Sequence, residues 1–180
     1  MQKIKNITVF CASSTNLSAK YHKIAEEVGD FMAKEGFNLV FGGANVGLMK
    51  TIARKVYNAG NKVYGIIPGF FVNRGLASEC STEITVTKDM FERKKLLIDK
   101  GDAFIALPGG FGTLDELIEV ITLNQIGQIN KPVIIYDPIG FYNDLLLFFE
   151  KMKQEKFTDS NHHTYHIAKS PEDLKKILKN

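Results

Sequence analysis

The feature that most constrains this chain is a rhythm. Six short runs rich in β-branched and aromatic residues, at 6–12, 38–42, 62–67, 83–87, 103–107 and 132–136, are separated by longer segments of helical period. Most of the runs, such as Ala103-Phe-Ile-Ala-Leu107 and Pro132-Val-Ile-Ile-Tyr136, are apolar throughout and do not alternate. That is the pattern of parallel strands buried on both faces. After the first run, Tyr21, Ile24, Ala25, Val28, Phe31 and Met32 recur at helical spacing, following a Ser18 cap and preceding a Gly36 stop. The spacing predicts further helices over 46–59, 89–100, 113–126, 141–155 and 171–179, the last opened by Ser170-Pro171. Strands alternating with helices form right-handed βαβ units, so the expected fold is α/β: a Rossmann-like, doubly wound, mostly parallel sheet with helices on both faces. Such sheets bind ligands at the carboxyl ends of their strands, which directs attention to the loops after 12, 42, 67 and 107.

No linker, repeat or low-complexity tract divides the 180 residues, so one domain over 1–180 is expected. A net charge of +3 is too small to indicate a nucleic-acid partner. The apolar runs fall well short of the roughly 20 residues that span a bilayer, and the first residues read as a strand and not a signal peptide, so a cytoplasmic protein is expected. Cys11 and Cys80 read as reduced core thiols. Around His162, His163 and His166 the sequence shows no clear pattern of carboxylate or second-shell metal ligands, so no metal is expected; that tail reads as a polar loop leading into a short strand.

Two glycine-rich stretches, FGGANVGLM (41–49) and LPGGFGT (107–113), sit where a strand gives way to a helix. Glycine lets backbone amides approach an anion closely, and a helix N-terminus adds partial positive charge. Neither stretch is a dinucleotide fingerprint: Ala44 stands where G-x-G-x-x-G needs Gly, GGFGTL lacks the last Gly, and no P-loop sequence occurs. Glu116 admits two readings. Thr113-x-x-Glu116 has the spacing of a capping box, in which the carboxylate turns back to the helix start. A phosphate held by the amides of 109–113 would instead leave Glu116 about 5 Å further along the axis, beside a sugar attached to that phosphate.

The segment KDMFERKKLLIDKG (88–101) places Met90, Phe91, Leu97 and Ile98 on one arc of a helix, with Lys94 inside the arc and Arg93 at its edge. Glu92 and Asp99 take the opposite face. Arg93 and Lys94 then either point inward, where a desolvated cation needs a partner, or snorkel to solvent.

Together these residues resemble the lonely-guy family of cytokinin riboside and related nucleoside 5′-monophosphate phosphoribohydrolases, often mislabelled lysine decarboxylases. The family's double signature, P-G-G-x-G-T-x-x-E and an upstream M-x-x-R-K, is complete here as Pro108-Gly-Gly-Phe-Gly-Thr113-Leu-Asp-Glu116 and Met90-Phe-Glu-Arg93-Lys94. The resemblance extends through VFCASS, FGGANVGLM, GIIP and the stretch from Asp102 to Val133, fading after about 156. Ala12, Ala44 and Lys50 stand where glycines are usual, and Gly75 where some relatives have Glu, which bears on substrate choice more than on reaction class.

The resemblance implies hydrolysis of the N-glycosidic bond of a nucleoside 5′-monophosphate, AMP or an N6-modified AMP, without metal or organic cofactor. It assigns Glu116 and Arg93 to catalysis and makes Ser13, Ser14, Gly42, Gly43, Met90, Arg93, Lys94, Gly109, Gly110, Gly112 and Thr113 the substrate-binding set. An acidic residue near the base or ribose would be Glu79 or Glu83. The same architecture is similar to that of molybdenum-cofactor carrier proteins, which hold a phosphorylated pterin without turning it over. A lysine decarboxylase is disfavoured, because no pyridoxal-phosphate lysine with a ring-nitrogen partner is recognisable. Apolar residues beyond one stripe in 114–123 and in FYNDLLLFFEKM imply a partner helix, hence a symmetric homodimer.

Overall fold

The computed structural model describes residues 4–158 and 164–179. Seven parallel strands form one sheet: β1 (Asn6–Phe10), β2 (Asn38–Phe41), β3 (Val63–Pro68), β4 (Glu83–Thr87), β5 (Ala103–Ala106), β6 (Val133–Tyr136) and β7 (His166–Ala168). Their order is β4-β3-β2-β1-β5-β6-β7. The helices are α1 (Ala19–Glu35), α2 (Gly47–Asn58), α3 (Gly69–Val72), α4 (Met90–Lys100), α5 (Phe111–Gln125), α6 (Asn143–Gln154) and α7 (Pro171–Lys179). The six expected strands are present, and β7 supplies the short strand anticipated in the tail. His162 and His163 lie outside the described residues.

The continuous apolar runs have the expected cause, because each central strand feeds two cores. Ile7, Leu39, Phe41, Ile105, Ile134 and Tyr136 pack under α1, α2 and α7. Phe10, Val40, Phe104, Ala106, Val133 and Ile135 pack under α4, α5 and α6. Burying each such side chain contributes about 1.5–3 kcal/mol, so the strands are held by both layers at once.

The chain runs outward from β1 through β2 and β3 to β4, then crosses back to β5 on the other side of β1, so the winding reverses between β1 and β5. The chains therefore diverge at the carboxyl ends of β1 and β5, opening the crevice in which doubly wound sheets hold ligands. Hydrogen bonds knit the surrounding loops: Ala12 N donates to Pro108 O at 3.3 Å, and Ala12 O accepts from Leu48 N at 3.0 Å. A flap after α3 is zipped to the glycine-rich stretch 41–49 by Asn45 N to Leu76 O (2.7 Å) and Ser78 N to Gly43 O (2.8 Å).

Three local expectations need correction. Helix α5 begins at Phe111 with Gly110 as its N-cap, so Thr113 lies inside the helix and does not open it. Ser18 occupies the N-cap of α1, but its side chain makes no capping hydrogen bond. Phe91, expected on the inward arc of α4, is 81% exposed, and within α4 only Leu97 and Ile98 are buried.

Candidate active site

A cleft of about 570 Å³ lies at the switch point, between the loops that follow β1, β2 and β5. Its lining is polar and backbone-rich at Ser13 and Ser14 of the first loop and at Gly110, Gly112 and Thr113 of the α5 start, and apolar at Val46, Met49, Phe71, Leu76 and Met90. Arg93 and Glu116 line the same cleft.

The α5 N-terminus presents backbone donors to the cleft. Leu114 N donates to Gly110 O at 3.0 Å, closing the first helical turn, so the preceding amides have no intrahelical acceptor. Gly110 brings no side-chain cap and the first turn carries no acidic residue, leaving the positive end of the helix dipole unopposed.

Glu116 sits a turn deeper on the same helix, 9% exposed. It is not a capping carboxylate, since the helix starts too early for it to reach the N-cap amide. A capping arrangement of that kind belongs to α4 instead, where Asp89 Oδ1 accepts from Glu92 N and Glu92 Oε2 accepts from Lys88 N, both at 2.8 Å. Glu116 Oε1 accepts from Arg93 Nη1 at 2.7 Å, and Arg93 Nε donates to Ile66 O at 3.3 Å. Burial raises the Glu116 pKa above its ordinary value despite the opposing Arg93 guanidinium. Burial, reinforced by the Glu116 charge, pushes the nearby Cys11 thiol far up, which makes it an inert part of the lining.

Gly42 makes this pairing sterically feasible. A Cβ there would overlap Arg93 Nη2 and come within 3.0 Å of Met49 Sδ, so the guanidinium crosses where only glycine leaves room.

The predicted site residues divide accordingly. Ser13, Ser14, Gly42, Met90, Arg93, Gly110, Gly112, Thr113 and Glu116 are brought together around the cleft. Gly43 lies just behind, with a left-handed backbone (φ 71°) pressed against Ile66 and Ile67. Gly109 lies against the Thr113 side chain and shapes the turn without lining the cleft. Lys94 departs from expectation: it faces α5 from the far side of Arg93, pairing with Asp115 at 3.1 Å and Glu119 at 3.2 Å. Glu83 is at the opposite, amino end of β4, bonded to Lys100 at 3.2 Å, and the exposed Glu79 does not line the cleft.

Residues the sequence did not single out include Val46, Met49, Phe71, Leu76 and the 92% exposed Phe111. They are apolar side chains near strand ends, and nothing in their spacing separates them from core.

A parallel sheet with a cleft at its switch point, lined by a helix N-terminus and a buried Arg–Glu pair, defines a class of small Rossmann-like α/β proteins. Within it, this chain belongs to the lonely-guy family: the family model described as "Possible lysine decarboxylase" matches residues 49–179. A cytokinin riboside 5′-monophosphate phosphoribohydrolase of Arabidopsis thaliana is 40% identical over 98% of this chain and 82% of its own length. A probable enzyme of the same name from Oryza sativa is 40% identical over 96% of this chain and 69% of its own. Among solved structures, a molybdenum cofactor binding protein from Rippkaea orientalis is 26% identical with a TM-score of 0.70, covering 99% of this chain and 97% of its own. The molybdenum cofactor carrier protein of Chlamydomonas reinhardtii, 20% identical with a TM-score of 0.74 over 99% of this chain and all of its own, shares the fold.

Proposed function

We propose that this protein hydrolyses the N-glycosidic bond of a nucleoside 5′-monophosphate, AMP or an N6-modified AMP of cytokinin type, releasing free base and ribose 5-phosphate. The observation that carries this reading is the Arg93–Glu116 pair, set one helical turn from an anion-binding helix end. The phosphate binds the α5 amides around Gly110, Gly112 and the Thr113 hydroxyl. That anchors the ribose over Glu116 and leaves the base against Met49, Phe71, Leu76 and Met90.

Glycosidic cleavage passes through an oxocarbenium-like state. The Glu116 carboxylate stabilises its positive charge and orients, then deprotonates, the attacking water. Arg93 fixes the carboxylate and offers its remaining guanidinium donors to a sugar or phosphate oxygen. Ser13 and Ser14 bind from the first loop. A decarboxylase reading fits poorly, because among the described residues no lysine lines the cleft to hold pyridoxal phosphate as a Schiff base.

The chain acts as one domain over 1–180, in the cytoplasm, as a symmetric homodimer. Exposed Ile118 and Ile126 on and after α5 and Leu147 and Phe148 on α6 support the dimer, and a second subunit would complete the cleft through the start of α4. Among the described residues no helix is long and apolar enough to cross a membrane. Sedimentation equilibrium at twice the chain mass supports the dimer, and a monomer overturns it.

The test of function is incubation with AMP and N6-modified AMP, followed by chromatography for free base and ribose 5-phosphate. Catalytic release of both supports the hydrolase. Retention of one equivalent of unchanged nucleotide identifies a carrier instead.

A further inference from the structure

The turn that presents the phosphate-binding amides is gripped from behind by a side chain 35 residues further along the chain. Tyr142, 2% exposed, donates its phenol hydrogen to the Leu107 carbonyl at 2.7 Å, just before Pro108-Gly109-Gly110. The hydroxyl thus holds the residue that leads into the turn.

Tyr142 is itself held. Asp137, buried just beyond β6, accepts from Phe141 N and Tyr142 N, one oxygen each, at 2.8 Å. Its own amide is tied to Ala168 O at 2.9 Å. Phe141 packs edge-on against the Tyr142 ring, centroids 4.9 Å apart. Burial pushes the phenol well above its ordinary pKa, so it stays a neutral donor. Neither Asp137 nor Tyr142 lines the cleft.

We propose that Tyr142, fixed by Asp137, is a positioning residue that holds the Leu107–Gly110 turn in the one orientation in which the first amides of α5 converge on the substrate phosphate. The buried Leu107 carbonyl loses its donor without the hydroxyl, and the turn rotates to recover one. A converging set of amides tolerates little rotation, because anion affinity depends on all of them pointing at one site. The identity of the anion as a nucleotide phosphate rests on the function proposed above.

The test is Tyr142→Phe, which keeps the ring and its packing and removes only the hydroxyl. Calorimetric affinities for inorganic phosphate and AMP fall together by about tenfold, while that for adenosine changes by less than about twofold. Turnover at saturating AMP stays within about threefold, so the loss appears in KM and not in kcat. Asp137→Asn, which keeps one acceptor oxygen, shows the same split to a smaller degree and carries the test if the first variant does not fold. Unchanged phosphate affinity, or equal losses for AMP and adenosine, overturns the proposal. Because the binding measurements need no turnover, wild-type protein that binds AMP without cleaving it would sink the hydrolase reading and leave this one intact.

Discussion

Arg93 Nη1 and Glu116 Oε1 are 2.7 Å apart, and each side chain is only 11% exposed, so a cation from α4 and a carboxylate from α5 share one desolvated position beside the cleft. The attraction in such a pair is largely offset by the cost of taking both charges out of water, so it adds little net stability. Its consequence is orientation: Glu116 cannot swing freely, and the face it turns to the cleft is set by the helix it does not belong to.

Arg93→Lys tests that orientation while preserving charge. Lysine is a point charge without a planar fork and cannot serve both Glu116 and the Ile66 carbonyl as Arg93 does. Turnover should fall by about 100-fold with only about 1 kcal/mol lost in stability. Steady-state kinetics beside thermal melting measures both, and a variant with near-normal kcat would show that the fork is dispensable.

Gly42→Ala strikes the same pair from the other side. The backbone at Gly42 is not left-handed, so the cost is steric: the new methyl overlaps Arg93 Nη2 and crowds Met49. Overpacking of this kind costs about 1–3 kcal/mol. The guanidinium is the displaced group, so kcat/KM drops further than that stability loss alone would suggest. Equal activity in a folded variant would contradict the tight crossing.

The pH dependence follows from Glu116. Burial outweighs Arg93 and raises its folded-state pKa above the ordinary value. Between those two values the folded chain holds a proton that the unfolded chain has released. Its contribution to stability is therefore fully present below the ordinary value and is lost as pH rises through the raised one. Turnover moves the other way, because only the ionised carboxylate can stabilise the cationic transition state. The acid limb of the kcat/KM profile, which reports the free enzyme, should thus lie above the usual glutamate range, and Glu116→Gln should lack the matching slope in stability against pH. An acid limb at or below the ordinary glutamate value would contradict this account.

Much of this was readable in the residues, and the misses have physical causes. The apolar runs announced the strands because each is buried on two faces, as Val40 and Leu39 are on opposite sides of β2. Helical spacing offered an inward turn for Arg93 and Lys94 beside snorkelling to solvent, and it gave no destination for either. Neighbouring residues diverge by about 100° around a helix, which sends Arg93 to Glu116 and Lys94 to Asp115 and Glu119. The Thr113 cap was suggested by spacing alone, and Gly110 pre-empted it by starting the helix earlier. Helix α3 is four residues long and shows no period to detect. The Tyr142 contact with Leu107 is a product of the β5–β6 pairing, and local patterns carry no trace of it.

The central claim is that Glu116 acts chemically on a bound nucleotide, and base release from AMP by wild type and Glu116→Gln, with AMP affinity measured alongside, tests it most directly. The wild type should release base over many turnovers, and the variant should bind AMP within a few-fold yet turn over about 10²–10⁴ times more slowly. Equal release by a folded Glu116→Gln protein would contradict the account.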